Sequence, residues 1–168
     1  EGKFKAEINL FRNDFQNLID TYVLATKTSG QNVFSYRNIN ESFNEGIEFN
    51  SSVKLANVLT ISGGYQLLYF YDKDVIQEIE DGKIFARDSN NETVRLTTKD
   101  YFGLPNRSRH QANLKVFYDI PKYKSNVNFR LLYRSKYGFF DTNSNGIIDS
   151  YDKDESYIKA YVTANVSA

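Results

Sequence analysis

The residues best placed to do chemistry lie in one run: Asp141-Thr142-Asn143-Ser144-Asn145-Gly146-Ile147-Ile148-Asp149-Ser150-Tyr151-Asp152. Oxygen-bearing side chains stand at loop positions one, three, five, nine and twelve, and glycine stands at six. That is the spacing of an EF-hand-type calcium loop. Calcium takes six to eight oxygens, and alternate residues of a curling chain can point inward to supply them. Asp141, Asn143, Asn145, Asp149 and Asp152 would give side-chain oxygens, Ile147 a carbonyl, and Gly146 the sharp turn. Aspartate replaces the usual glutamate at position twelve, so bidentate coordination would come from a shorter arm. No helical pattern flanks the run, so a bare loop is expected. The competing reading is a plain Asn145-Gly146 turn amid solvated acids. Five placed oxygens plus glycine exceed what a turn requires.

Little other reactive chemistry is available. The chain has 168 residues, no cysteine and a single histidine, His110. Thiolate catalysis, disulfides and cysteine-based zinc sites are excluded. No nucleophile–base–orienter trio can be assembled, and no glycine-rich phosphate loop is present, so an enzyme is not expected. His110, between Arg109 and Gln111, lacks a partner cluster and reads as structural rather than as a haem ligand. With 21 basic and 21 acidic residues, the balanced charge argues against nucleic acid or an anionic surface as the main partner.

The elements that must carry these residues are strands. Phe4, Ala6, Ile8 and Leu10 alternate with Lys3, Lys5, Glu7 and Asn9. Ala112, Leu114, Val116, Tyr118 and Ile120 alternate with Gln111, Asn113, Lys115 and Asp119. Val127 to Tyr133 and Ile158 to Val166 repeat the scheme. A period of two means β-strand. Strands are expected over 3–14, 32–54, 57–72, 108–120, 126–138 and 156–167. Their connections are expected to run long, short, long, short, long, with long segments at 16–31, 73–107 and 139–155. Outer-membrane barrels alternate short and long connections in this way, and most of these strands exceed the ~9–11 residues a tilted membrane strand needs. There are 13 Tyr and 13 Phe, and Tyr69, Tyr71, Tyr118, Tyr133, Tyr137 and Tyr157 fall towards strand ends, where an aromatic belt belongs. The expected fold is all-β, an antiparallel up-and-down transmembrane barrel. The rival is a secreted, soluble calcium-binding β-sandwich, an adhesin or carbohydrate-binding module, whose apolar face a second sheet would enclose.

Several segments resemble one family. They are Leu10 to Ile19, Ser35-Tyr36-Arg37-Asn38-Ile39, Asn44-Glu45-Gly46-Ile47-Glu48, Gly64-Tyr65 with Tyr69 to Asp72, and Pro105 to Tyr118. Their order and spacing resemble the late-barrel strands of TonB-dependent outer-membrane receptors, in the style of Bacteroidetes receptors for siderophores, haem or cobalamin. The resemblance covers nearly the whole chain. It implies residues 1–168 as about six strands of a barrel of roughly 22, with the plug domain and final strands absent. It also implies a bacterial outer-membrane location, import of a large scarce solute, and as partners the TonB complex, the plug, a metal chelate, membrane lipids and a surface lipoprotein. In that setting Tyr22, Tyr101, Phe102, Phe139 and Phe140 are candidate ligand contacts on loops, or else they prop those loops. Lys115, Arg130, Arg134 and Lys136 share polar faces and are expected to project into the lumen. They would guide an anionic ligand or simply meet plug and water.

Overall fold

The structure, a computed structural model, describes residues 3–168. In chain order the elements are β1 (Lys3–Thr26), β2 (Asn32–Leu55), β3 (Leu59–Asp72), α1 (Lys73–Glu80), β4 (Phe85–Arg87) and β5 (Thr93–Arg95). There follow β6 (His110–Ile120), β7 (Ser125–Arg134), β8 (Tyr137–Gly138), β9 (Tyr157–Ile158) and β10 (Tyr161–Ser167). Six of them form one antiparallel sheet in the order β1-β2-β3-β6-β7-β10, each beside the one that precedes it among the six. This is an up-and-down meander, the wall of a barrel seen as an open arc.

Register sorts the sheet into two chemically different faces. On one, Ile8, Phe49, Tyr65, Ala112, Tyr133 and Val162 form a continuous row across all six strands. Two residues along lie Ala6, Ser51, Gly63, Leu114, Leu131 and Ala164. Phe4, Val53, Ile61, Val116, Phe129 and Val166 come next. With Leu10-Ile47-Leu67 above and Leu55-Leu59-Tyr118-Val127 below, the apolar rows span ~26 Å along the strands at ~3.3 Å per residue. A tilt of ~40° leaves about 20 Å of height, and the flanking aromatics extend it towards the ~25 Å band of an outer-membrane barrel. The opposite face reads Lys5, Ser52, Ser62, Lys115, Arg130, Asn165 in one row and Asn9, Glu48, Gln66, Gln111, Arg134 in another.

What covers the apolar face separates the two sequence-level architectures. Phe4 and Ile8 are each 70% exposed, and even on inner strands Leu114 and Tyr133 are 37% and 39% exposed. Among the described residues the only other sheets are the two-stranded pairs β4-β5 and β8-β9, both in loops. The buried apolar cluster is Val75, Ile79, Ile84, Ala86, Leu96, Tyr101 and Ile147, and every member lies in a long connection. The chain therefore keeps its dry core in its loops and turns its wall's apolar side outward, the reverse of a sandwich.

Two sequence expectations change. The segment 16–31, expected to be a loop, is strand: β1 runs on to Thr26 and pairs with β2 down to Asn32, leaving a tight turn at 27–31. The first connection is thus a long hairpin arm rather than a long loop. Beyond Leu10 polar residues stand on both faces of the arm, among apolar ones such as Phe11, Phe15 and Phe43, with Arg12 tied to Glu45 at 3.0 Å and Asn13 to Asn44 at 2.8 Å. The arm continues past the apolar band, and period-two hydrophobicity ends where that band ends. The segment 73–107 is not structureless either. Asp72 caps α1, its carboxylate accepting from the N–H groups of Asp74 and Val75, and Val75 and Ile79 point into the loop core. At the far end, β10 begins at Tyr161 and β7 ends at Arg134, both shorter than expected.

Glycine matters most at Gly46. A Cβ there would lie 2.0 Å from the Leu67 carbonyl oxygen and 2.9 Å from the Phe11 ring, so β2 and β3 close up only because this position has no side chain. Gly63-Gly64 makes no break: β3 keeps register through both, and the Asn50 and Asn113 amides fill the space over Gly64.

Candidate functional site

The 141–152 run forms the bare loop its sequence predicts, closed by its own acids. Asp141 accepts from the N–H groups of Asn143 (2.9 Å), Ser144 (2.7 Å) and Gly146 (2.8 Å). Asp152 accepts from Thr142 N–H (2.7 Å), Thr142 Oγ1 (2.9 Å) and Asp149 N–H (2.9 Å). Asn143 and Asn145 converge on Asp149 at 3.1 and 2.6 Å, and Asp149 is fully buried. Gly146 takes the left-handed φ of +94° that the turn demands. Burial pushes the Asp141 carboxyl above its ordinary range, and the charge of Asp152 adds to this against the N–H donations from Gly146 and Ser144. Among the described residues no three carboxylate or histidine groups converge as a cluster, so the oxygen set here is one of acids mixed with amides.

The Ile147 side chain is a second finding. It is 6% exposed and belongs to the loop core beside Val75 and Ile79, so position seven anchors the loop as well as offering a carbonyl. Other ties fix the loop to residues 100–102 and to Tyr157. Phe102 N–H donates to the Ile148 carbonyl (2.9 Å), Ser150 N–H to the Asp100 carbonyl (3.0 Å), and the Tyr157 hydroxyl donates to the Asp149 carbonyl.

Four of the five loop aromatics come together. Tyr22 from the arm, Tyr101, Phe139 and Phe140 line one half-enclosed cavity of about 420 Å³, within the range of small-molecule sites. The calcium-type loop supplies another wall through Asp141, Ser144 and Gly146. Phe139 and Phe140 meet edge to face at 6.0 Å, and Phe34 adds a second edge at 6.1 Å. Phe102 stands apart, packed on Tyr157 at 5.0 Å and under the Arg109 guanidinium at 5.0 Å. Tyr101 is 2% exposed and joins the cavity to the loop core; burial raises its hydroxyl's pKa above the tyrosine range. One cavity residue escaped sequence reading. Arg37 sits on β2 opposite Asp20, yet its Nε is buried with no hydrogen-bond partner. An arginine in a segment mistaken for the start of a membrane strand gives no signal of lining a cavity.

The cations expected to share polar faces divide. Lys115 and Arg130 are cross-strand neighbours on the polar face, and Arg134 follows beside Gln111. Arg134 leans over the Tyr137 ring at 4.6 Å and donates to the Asn106 carbonyl at 3.2 Å. Lys136 lies past the end of β7, its ammonium 3.9 Å from the Tyr157 ring centre and 3.5 Å from Asp154. His110 sits on the opposite, apolar-band face, its Nδ1 2.7 Å from the Tyr65 hydroxyl, an arrangement that suits a membrane interface.

A family model described as TonB dependent receptor-like, beta-barrel matches residues 1–168. Comparison with curated proteins returns no match, and neither does comparison with solved structures. The chain belongs to the TonB-dependent receptor β-barrel family. The family places it in the bacterial outer membrane, as barrel wall in TonB-dependent transport, and not among enzymes.

Proposed function

We propose that residues 1–168 are part of the barrel of a receptor that imports a large, scarce solute of the metal-chelate class, such as a siderophore, haem or cobalamin. The observation that carries this reading is the convergence of Tyr22, Tyr101, Phe139 and Phe140 on one cavity in the loop layer. Rings gathered beyond the membrane band, on a frame with its own buried core, suit capture of a bulky, partly apolar ligand better than free diffusion. Below the loops, Lys115, Arg130 and Arg134 line the lumen face, where a plug domain fills the barrel and the TonB complex pulls on it. A surface lipoprotein is the partner expected over the loops. The test is uptake of ⁵⁵Fe-ferrichrome, ⁵⁵Fe-haemin and ⁵⁷Co-cyanocobalamin by cells carrying the parent receptor. One of the three should accumulate in TonB-positive cells and not in TonB-deficient ones. Accumulation no higher than in a receptor-deleted strain, for all three, would sink the chelate assignment.

The same reading gives the 141–152 loop to calcium, as a staple for the loop layer. Asp141, Asn143, Asn145, Asp149 and Asp152 would ligate it with the Ile147 carbonyl. A carboxylate carries about four acceptor sites. Asp141 uses three on N–H donors and keeps one for an ion. Asp152 accepts from Thr142 N–H and Oγ1, Asn143 N–H and Asp149 N–H, and would give up one of these to ligate. Burial and the nearby Asp152 charge raise Asp141, and a bound divalent cation would offset both by supplying positive charge. Calcium at 100 times its Kd would stabilise the folded loop by about 2.7 kcal/mol. Thermal unfolding of the receptor's loops should therefore shift upward with calcium and cease to do so in Asp141→Ala. Identical melting with calcium and with chelator would remove the assignment.

A further inference from the structure

The cavity has a composition beyond its rings. Arg37 is a cross-strand partner of Asp20, but no carboxylate among the described residues comes within ion-pair distance of it. Asp20 accepts through Oδ1 from Thr21 N–H at 2.9 Å, with the same oxygen 3.8 Å from Arg107, and its buried Oδ2 has no partner among the described residues. Asp72, whose charge reaches Arg37, is engaged as the cap of α1. The buried Nε of Arg37 has no hydrogen-bond partner among the described residues, and Arg37 shares its cavity with Tyr22, Phe139 and Phe140. Arginine presents a planar fork of donors that matches a carboxylate, and aromatic walls accept a flat ring. One wall residue opposes an anion: Asp141, the first residue of the calcium-type loop.

We propose that this cavity binds a flat aromatic carboxylate, ring between the side chains of Tyr22, Phe139 and Phe140 and carboxylate against Arg37, and that calcium on the 141–152 loop tightens it by neutralising Asp141. The ligand part rests on the import reading and the linkage on the calcium reading. The sign follows from charge. A calcium ion removes the one negative wall facing the incoming carboxylate, so the two ligands favour each other reciprocally.

The probe is benzoate, with benzamide as its uncharged isostere, titrated by calorimetry into the intact receptor in detergent. Calcium occupancy is measured separately with ⁴⁵Ca. Benzoate should bind about fivefold or more tighter with calcium than with chelator, the lower end of common coupling factors. Asp141→Asn should bring the calcium-free affinity most of the way to the calcium-loaded one. Arg37→Gln should weaken benzoate at least tenfold and leave benzamide unchanged; Arg37→Lys, which keeps the charge but loses the fork, should fall between them. Benzoate and benzamide binding alike, or benzoate binding Arg37→Gln as well as the parent, overturns the carboxylate site. If ⁴⁵Ca stays unbound, the calcium reading fails and the linkage with it, while the Arg37 comparison still decides the site. Calcium bound without any change in benzoate affinity overturns the linkage alone.

Discussion

Leu114→Arg should destabilise the folded barrel in a bilayer by about 2–4 kcal/mol, the range for a cation on the lipid face near the midplane. Leu114 sits in the central apolar row, between Gly63 and Leu131, with apolar rows on both sides of it. An arginine there must pull headgroups or water inward, because no acid stands near it in that face. Asn113→Arg, one residue away, points into the polar face, where Asn50 and Thr163 lie near it in register. It should cost under ~1 kcal/mol, since a lumen substitution meets water. The measurement is urea unfolding in liposomes, followed by loss of the heat-modifiable gel form. Two variants with equal cost would mean that neither face touches lipid, and the outward assignment would be wrong. A one-residue step reverses the outcome only if the strand's period of two separates lipid from water.

That contrast also explains how much could be read without coordinates. Across the membrane, lipid on one side and water on the other impose alternation, so β6 was legible to within two residues and β7 at its start, though β7 ends four residues short of the expected 138. Above Leu10 the arm has water on most sides, and Arg12, Asn13 and Asp14 can all be polar without breaking the strand. Its pairing is held by the ladder and by cross-strand ties such as Arg12–Glu45, which leave no hydrophobic rhythm. The helix had a signal that low overall hydrophobicity masked: Asp72 at the cap, then Val75, Ile76 and Ile79 at helical spacing. The calcium-type loop was legible because its side chains are specified by position within twelve residues. Its neighbour Arg37 was not, because the cavity is made of pieces more than a hundred residues apart in the chain, and only the fold of the loops onto the arm unites them.

Tyr101→Ala should melt the loop layer and spare the wall. Tyr101 is 2% exposed, packs its ring 5.5 Å from that of Tyr71, and receives Arg109 on its carbonyl at 3.0 Å. It also pairs across an isolated bridge with Asp149, so it joins the α1 core, the cavity and the calcium-type loop. Truncating a buried ring of this size costs about 3–5 kcal/mol. The loop core is small, seven buried residues, and has little stability from which to lose that much. The wall draws its stability from strand pairing and lipid; none of the seven buried residues belongs to it, and Tyr71 of β3 is the wall residue packed against that cluster. Regions of separate packing open separately. Limited proteolysis of the receptor in outer-membrane vesicles should therefore cut Tyr101→Ala within residues 73–109 and 139–156, while the barrel keeps its heat-modifiable form. Tyr101→Phe, which keeps the ring, should remain protected. If the barrel unfolds together with the loops in Tyr101→Ala, the two cores are one cooperative unit. The loop layer would then be part of the wall's stability rather than a separately folded capture device mounted on it.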